Sequence, residues 1–120
     1  MKIKLVIMTT VMLVLVQMVV GQKIDSKEMA KYQNEIMFER LDLSEKQQDK
    51  IMAHNSAFSE KQAALMNREG SMFSKMGEMK KMKKEKKAEL QNILSKEQME
   101  IFEDELAPKI RSYMRGKMKG

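Results

Sequence analysis

One short phrase occurs twice in this chain, Leu43-Ser44-Glu45-Lys46-Gln47 and Leu94-Ser95-Lys96-Glu97-Gln98, with the copies 51 positions apart. Each is a helix-start signal. The serine hydroxyl can accept from the backbone N–H three residues on, while the glutamine side chain reaches back to the serine's own N–H, the reciprocal arrangement called a capping box. Leucine precedes both caps, where it can staple onto the fourth helical residue: Leu94 has Met99 to meet, whereas Leu43 faces Gln48. Leu43, Ser44, Gln47, Leu94, Ser95 and Gln98 are therefore read as scaffold that fixes where two helices begin.

The other helices fill in around those two starts. Asp25-Ser26-Lys27-Glu28 reads as a further capping box, opening a helix to about Arg40 with Met29, Tyr32 and Ile36 on one face. From Ser44 a long helix runs to about Arg68 with a stripe of Ile51, Phe58, Leu65 and Met66. Asn55 and Gln62 dilute that stripe, and His54 and Lys61 lie on its edge. Glu69-Gly70-Ser71 is the break, because glycine is favoured just past a helix end and serine can cap the next. A third helix, Met72 to about Ile93, closes a hairpin and carries Met72, Met76, Met79, Leu90 and Ile93 on a face that Lys83 and Lys86 interrupt. The fourth begins at Ser95 with the cleanest stripe, Met99, Phe102, Leu106, Ile110 and Tyr113, and is read as core. Pro108 lacks an N–H, so a kink or early end is expected near Ala107, followed by a frayed basic tail from Arg111 to Gly120. The expected fold is all-α, four helices with a long helical hairpin.

The first twenty-one residues differ in kind from the rest of the chain. Lys2 and Lys4 precede an apolar run from Leu5 to Val20 and then Gly21, the outline of a secretory signal with Val19 and Gly21 at positions −3 and −1 of the cleavage site. An uncleaved anchor is the rival reading, since about twenty apolar residues can span a bilayer. In both cases residues 22–120 are expected as one exported helical domain. That part keeps 21 basic and 17 acidic residues, a net charge of +4. It contains no cysteine, so neither a disulfide nor a lipid-modified cysteine is available. A chain this small buries a modest fraction of its surface, and dimerisation would complete the burial. Lys80, Lys81, Lys83, Lys84, Lys86 and Lys87 crowd the third helix, and Glu97, Glu100, Glu103, Asp104 and Glu105 the fourth, so the two should attract each other. A solvated charged face is the plainer reading of the lysines.

The signal, the helix order and the doubled Leu-Ser-x-x-Gln together resemble the Spy/CpxP family of bacterial periplasmic proteins, whose signature is a repeated Leu-Thr-x-x-Gln. Serine stands for threonine in both copies here and caps at least as well. The stretches LDLSEKQQDKI and LQNILSKEQMEIFEDEL correspond to the two motifs, and the resemblance covers essentially all of residues 22–120 in a compact form. It implies a curved, cradle-like homodimer in the periplasm that binds unfolded or misfolded envelope proteins without ATP, or that restrains a sensor kinase in an envelope stress response.

A physical route to client binding is present. A face that mixes apolar side chains with lysines, Phe58, Leu65, Met72, Met76, Met79, Lys80, Lys83 and Lys86, can hold apolar segments loosely and attract acidic ones. Methionine suits such a surface because it is unbranched, polarizable and able to re-pack. The alternative is a metal-responsive or Cu(I)/Ag(I)-binding protein, with Met72, Met76, Met79 and Met82 as soft thioether ligands along one flank; packing is the plainer role for methionines at that spacing. His54 has neither a cysteine nor a second histidine to help it bind metal. An anionic-membrane or nucleic-acid surface is a third reading of the lysine run. Against it stand the export signal and the lack of aromatics interleaved with the lysines or of a tryptophan to sit at an interface. No cysteine nucleophile, zinc-ligand cluster or glycine-rich phosphate loop is found, and the serines with a clear reading are caps, so no enzyme and no cofactor is expected.

Overall fold

The computed structural model describes residues 24–119 of the chain. The signal segment read at residues 1–21 lies outside them. Four helices follow one another through short connections: α1 (Ser26–Arg40), α2 (Glu45–Asn67), α3 (Met72–Ile93), and α4, which starts at Lys96–Ile101, passes through a π-helical turn at Phe102–Leu106 and runs on as Ala107–Lys119. The protein is all-α. At 1.5 Å per residue, α2 and α3 make a hairpin about 35 Å long. Among the described residues no helix is long and apolar enough to cross a membrane.

Local sequence explains each start. Asp25 caps α1 by accepting from the Lys27 N–H at 3.0 Å, but Glu28 does not complete a box and instead pairs with Lys117 at 3.3 Å. Ser44 and Ser95 accept from the Gln47 and Gln98 N–H groups, both at 3.1 Å, and the glutamine carbonyl oxygens accept from the serine N–H groups at 3.0 and 2.9 Å. Both boxes are closed. Leu94 and Met99 are buried in one core, whereas Gln48 uses its amide to donate to the Leu43 carbonyl at 3.3 Å.

The two boxes also face each other. Gln47 donates to the Ile93 carbonyl at 3.0 Å and to Gln98 Oε1 at 2.8 Å; Gln98 donates to the Leu41 carbonyl at 2.8 Å and back to Gln47 Oε1 at 3.3 Å. Each glutamine thus completes its own helix start and satisfies the loop leading into the other, so the repeat joins the α1–α2 turn to the α3–α4 turn. Asp42, in the first of those turns, has a left-handed φ of 49°, a conformation aspartate tolerates better than most residues. Around this joint lies the main core, with Met29 and Met37 of α1, Ile51 of α2, Leu90 of α3, and Met99, Phe102 and Leu106 of α4. Burying each such side chain contributes about 1.5–3 kcal/mol relative to exposure.

Pro108 does not end α4. The π turn immediately before it shifts the hydrogen-bond register by one residue, with the Ala107 N–H donating to the Phe102 carbonyl, so the proline falls where the ladder is already changing and its missing donor does little harm. The expected frayed tail is corrected accordingly. The helix continues to Lys119, Ile110 and Met114 are buried, and Tyr113 stacks on Tyr32 with ring centroids 4.1 Å apart. At the other end of the hairpin, Gly70 turns the chain with φ +123° and Ser71 caps α3. Buried Lys75 reaches back from α3 to donate to the Met66 carbonyl at 3.1 Å and to that of Arg68, which covers the C-terminal end of α2.

Candidate functional site

Between the hairpin and α4 lies an open groove of about 620 Å³. Three helices line it. Phe58 and Leu65 come from α2, Leu90 from α3, and Met99, Phe102, Ile110 and Met114 from α4; all are buried and form the floor. Half-buried Met66, Met79 and Met82 continue it outward. Lys83, Lys86 and Lys87 of α3 face Arg111 and Arg115 of α4, while the acidic lining is Glu103 alone, which pairs with Lys87 at 3.3 Å. The surplus is therefore positive, over apolar walls. Of the lysine-rich and acid-rich helices expected to attract each other, Lys87–Glu103 is the ion pair found between them among the described residues; Glu105 instead pairs with Arg40 of α1.

Lys86 occupies the middle of this arrangement. Its ammonium lies 6.0 Å from the centroid of the Phe58 ring and 5.7 Å from that of Phe102, and donates to Gln33 Oε1 at 3.3 Å. The ring faces partly compensate the charge. Burial still dominates and pushes its pKa down to about 8. Behind Phe58, the buried His54 ring packs against it at 5.2 Å and its Nδ1 lies 2.6 Å from Glu89 Oε2. Burial lowers the His54 pKa although Glu89 opposes the shift. His54 is a packing residue with one charge-assisted hydrogen bond.

Five of the eight residues expected to form a client-binding face line the groove: Phe58, Leu65, Met79, Lys83 and Lys86. Met72, Met76 and Lys80 do not. Met72 and Met76 are each 48 % exposed on the first turns of α3, beyond the groove, and Lys80 is exposed and does not line it. The four methionines considered as thioether ligands are divided in the same way, Met72 and Met76 exposed and Met79 and Met82 half-buried in the groove. Among the described residues no cluster of histidine, cysteine, aspartate or glutamate could hold a metal ion.

The α4 wall is not foreseen from periodicity. Its stripe reads wholly as core, yet Met99, Phe102 and Ile110 also present an edge to the groove, joined by Met114 from the segment expected to fray. A signal existed in Arg111 and Arg115, one helical turn apart and each directly after one of those apolar residues, Ile110 and Met114. Comparison with known proteins gives a match between residues 17–102 and the model of a family described as "Domain of unknown function (DUF4890)". The match ends at Phe102, so the Arg111 and Arg115 side of the groove lies past it. No curated protein and no solved structure matches the chain.

Proposed function

The chain belongs to the DUF4890 family, and because that premise leaves the activity open we propose, from the groove, that the protein is an exported, ATP-independent holder of unfolded or misfolded envelope proteins. One observation carries this reading: where a bundle would ordinarily close a dry core, an apolar floor shared by α2, α3 and α4 stays open and is rimmed by cations. Such a surface can take apolar side chains of a client whose backbone stays in water, and it favours acidic segments. Methionine at the mouth adapts to different side chains without a fixed shape. The resemblance to Spy/CpxP proteins supports the same function, with a homodimer as the working form.

The test is aggregation of a chemically denatured client after dilution, with and without the purified protein and without ATP. Near-stoichiometric protein is expected to suppress light scattering, and Met79→Glu with Met82→Glu, both at half-buried positions on the groove wall, is expected to abolish most of the protection while the helical circular dichroism is kept. Absence of suppression by the native protein would sink the proposal. The thioether alternative is separated by titration with Cu(I): one-to-one binding that disappears in Met79→Leu/Met82→Leu, without any effect on client, would transfer the function to metal.

A further inference from the structure

Among the described residues Lys86 has no ion-pair partner. Among the described residues the nearby carboxylates are engaged elsewhere, Glu89 with His54 and Glu103 with Lys87, and Lys86 is left with one amide oxygen and two ring faces. Lys83, Arg111 and Arg115 also lack ion-pair partners among the described residues. A part-buried ammonium that keeps two of its three donors unused is complementary to an anion, and the surrounding apolar walls require that anion to carry an apolar body.

The lining distinguishes a small amphiphile from a polypeptide. Its only neutral polar side chain is Gln62, and helical walls have already used their own backbone groups. A peptide backbone laid on the floor would bring N–H donors with almost no acceptors to meet them, whereas an alkyl chain brings none. The groove volume, about 620 Å³, falls within the range of small-molecule sites, about 300–1,000 Å³. We infer that the groove is a binding site for a long-chain fatty acid, with its carboxylate against Lys86 and its alkyl chain extending over Leu65, Met82, Ile110 and Met114. The site shares the groove floor with the holding function proposed above, and the titration below contains no client, so the two readings fail separately.

Calorimetric titration of the full chain with hexadecanoate and with hexadecanol, both below the concentration at which they self-associate, tests the assignment. The acid is expected to bind one per chain and at least about tenfold more tightly than the alcohol, the difference a partly desolvated ion pair produces. Lys86→Met should remove that preference and Lys86→Arg should keep it. Ala107→Glu, which retains Lys86 and introduces a carboxylate on the groove wall, should lose the acid as well, so the test does not depend on how any one variant folds. Equal affinity for acid and alcohol, a preference that survives Lys86→Met, or binding of neither amphiphile would overturn the inference. Loss of the preference in Arg111→Gln/Arg115→Gln but not in Lys86→Met would also overturn it, by locating the attraction at the rim.

Discussion

At the base of the bundle, Met37, Ile51, Leu90 and Leu106 are completely buried, and Gln47 and Gln98 complete two helix starts and two loops at once. At the tip of the hairpin, Met72 and Met76 are 48 % exposed and Phe73 is 85 % exposed, and the turn rests on Gly70, the Ser71 cap and the Lys75 contacts. The helices α2 and α3 run through both regions. What differs is how far the cover extends: the segment leading into α1 still reaches the end of α2, where Ile24 and Asn67 exchange two hydrogen bonds at 3.0 Å, but the first turns of α3 stand exposed. Stability is therefore concentrated where four helices and two loops close on each other, and apolar surface is left available on the first turns of α3. The groove lies between these extremes, with a buried floor and an open mouth.

The largest effect that could break this contrast is deletion of a core side chain. Leu106→Ala should cost about 2–5 kcal/mol, because the cavity lies inside a fully buried layer at the π turn. Phe73→Ala, at an exposed aromatic on the tip, should stay within about 0.5 kcal/mol. Urea unfolding followed by circular dichroism measures both, and comparable costs would dissolve the distinction. The glutamine joint comes next. Gln98→Ala removes hydrogen bonds to the Leu41 carbonyl, Gln47 and the Ser95 N–H, with an expected loss of about 1–3 kcal/mol. Because Gln47 contributes to the same network, the double variant should cost less than the two single costs together by about 0.5 kcal/mol or more. Strict additivity would mean the two loops are held separately.

The helices were legible in the sequence because their boundaries are local chemistry. Ser44, Ser71 and Ser95 cap through bonds to residues three positions away, and Gly70 adopts a backbone angle that other residues resist, so no tertiary knowledge was needed to place them. The pairing of Gln47 with Gln98 was not legible, since a capping box says nothing about what its glutamine amide meets beyond its own helix. Lys75 was hidden for a similar reason: a lysine near a helix start looks solvated until the neighbouring helix end is seen to need donors. Pro108 misled because its usual consequence assumes a regular α-helix on its N-terminal side, and the π turn removes that assumption. Half of the groove was readable from the broken apolar stripes of α2 and α3. The other half escaped because a stripe wide enough to fill a core and line a groove has the same periodicity as one that only fills a core.

Lys86 gives a smaller effect, of opposite sign. Its folded pKa of about 8 lies below the ordinary value of 10.5, so the folded protein binds this proton less tightly than the unfolded chain does. The cost is fully present below pH 8, where both states carry the charge, and it is relieved as pH rises from about 8 towards 10.5, where the folded lysine is neutral and the unfolded one still protonated. Lys86→Met should therefore stabilise the protein by about 1–2 kcal/mol at pH 7, allowing for partial exposure and the ring contacts. That advantage should shrink across the window between pH 8 and 10.5 in a series of unfolding curves. A constant advantage would assign the gain to methionine packing and not to the buried charge.

The smallest effect bears on the tip itself. Lys75 places an ammonium against the last carbonyls of α2, where unpaired acceptors and the negative end of the helix dipole both favour a cation. Removing it should loosen the turn without reaching the base, because no hydrogen bond of the Gln47–Gln98 joint passes through it. Lys75→Met keeps the length of the buried stem, so its expected cost of about 1 kcal/mol isolates the loss of the two hydrogen bonds. In hydrogen exchange, amides around residues 66–76 should open about fivefold more readily while those around Ile51 and Leu90 hold their protection. If protection falls equally at both ends, the tip and base open as one unit, and the exposed methionines belong to the same cooperative structure as the core.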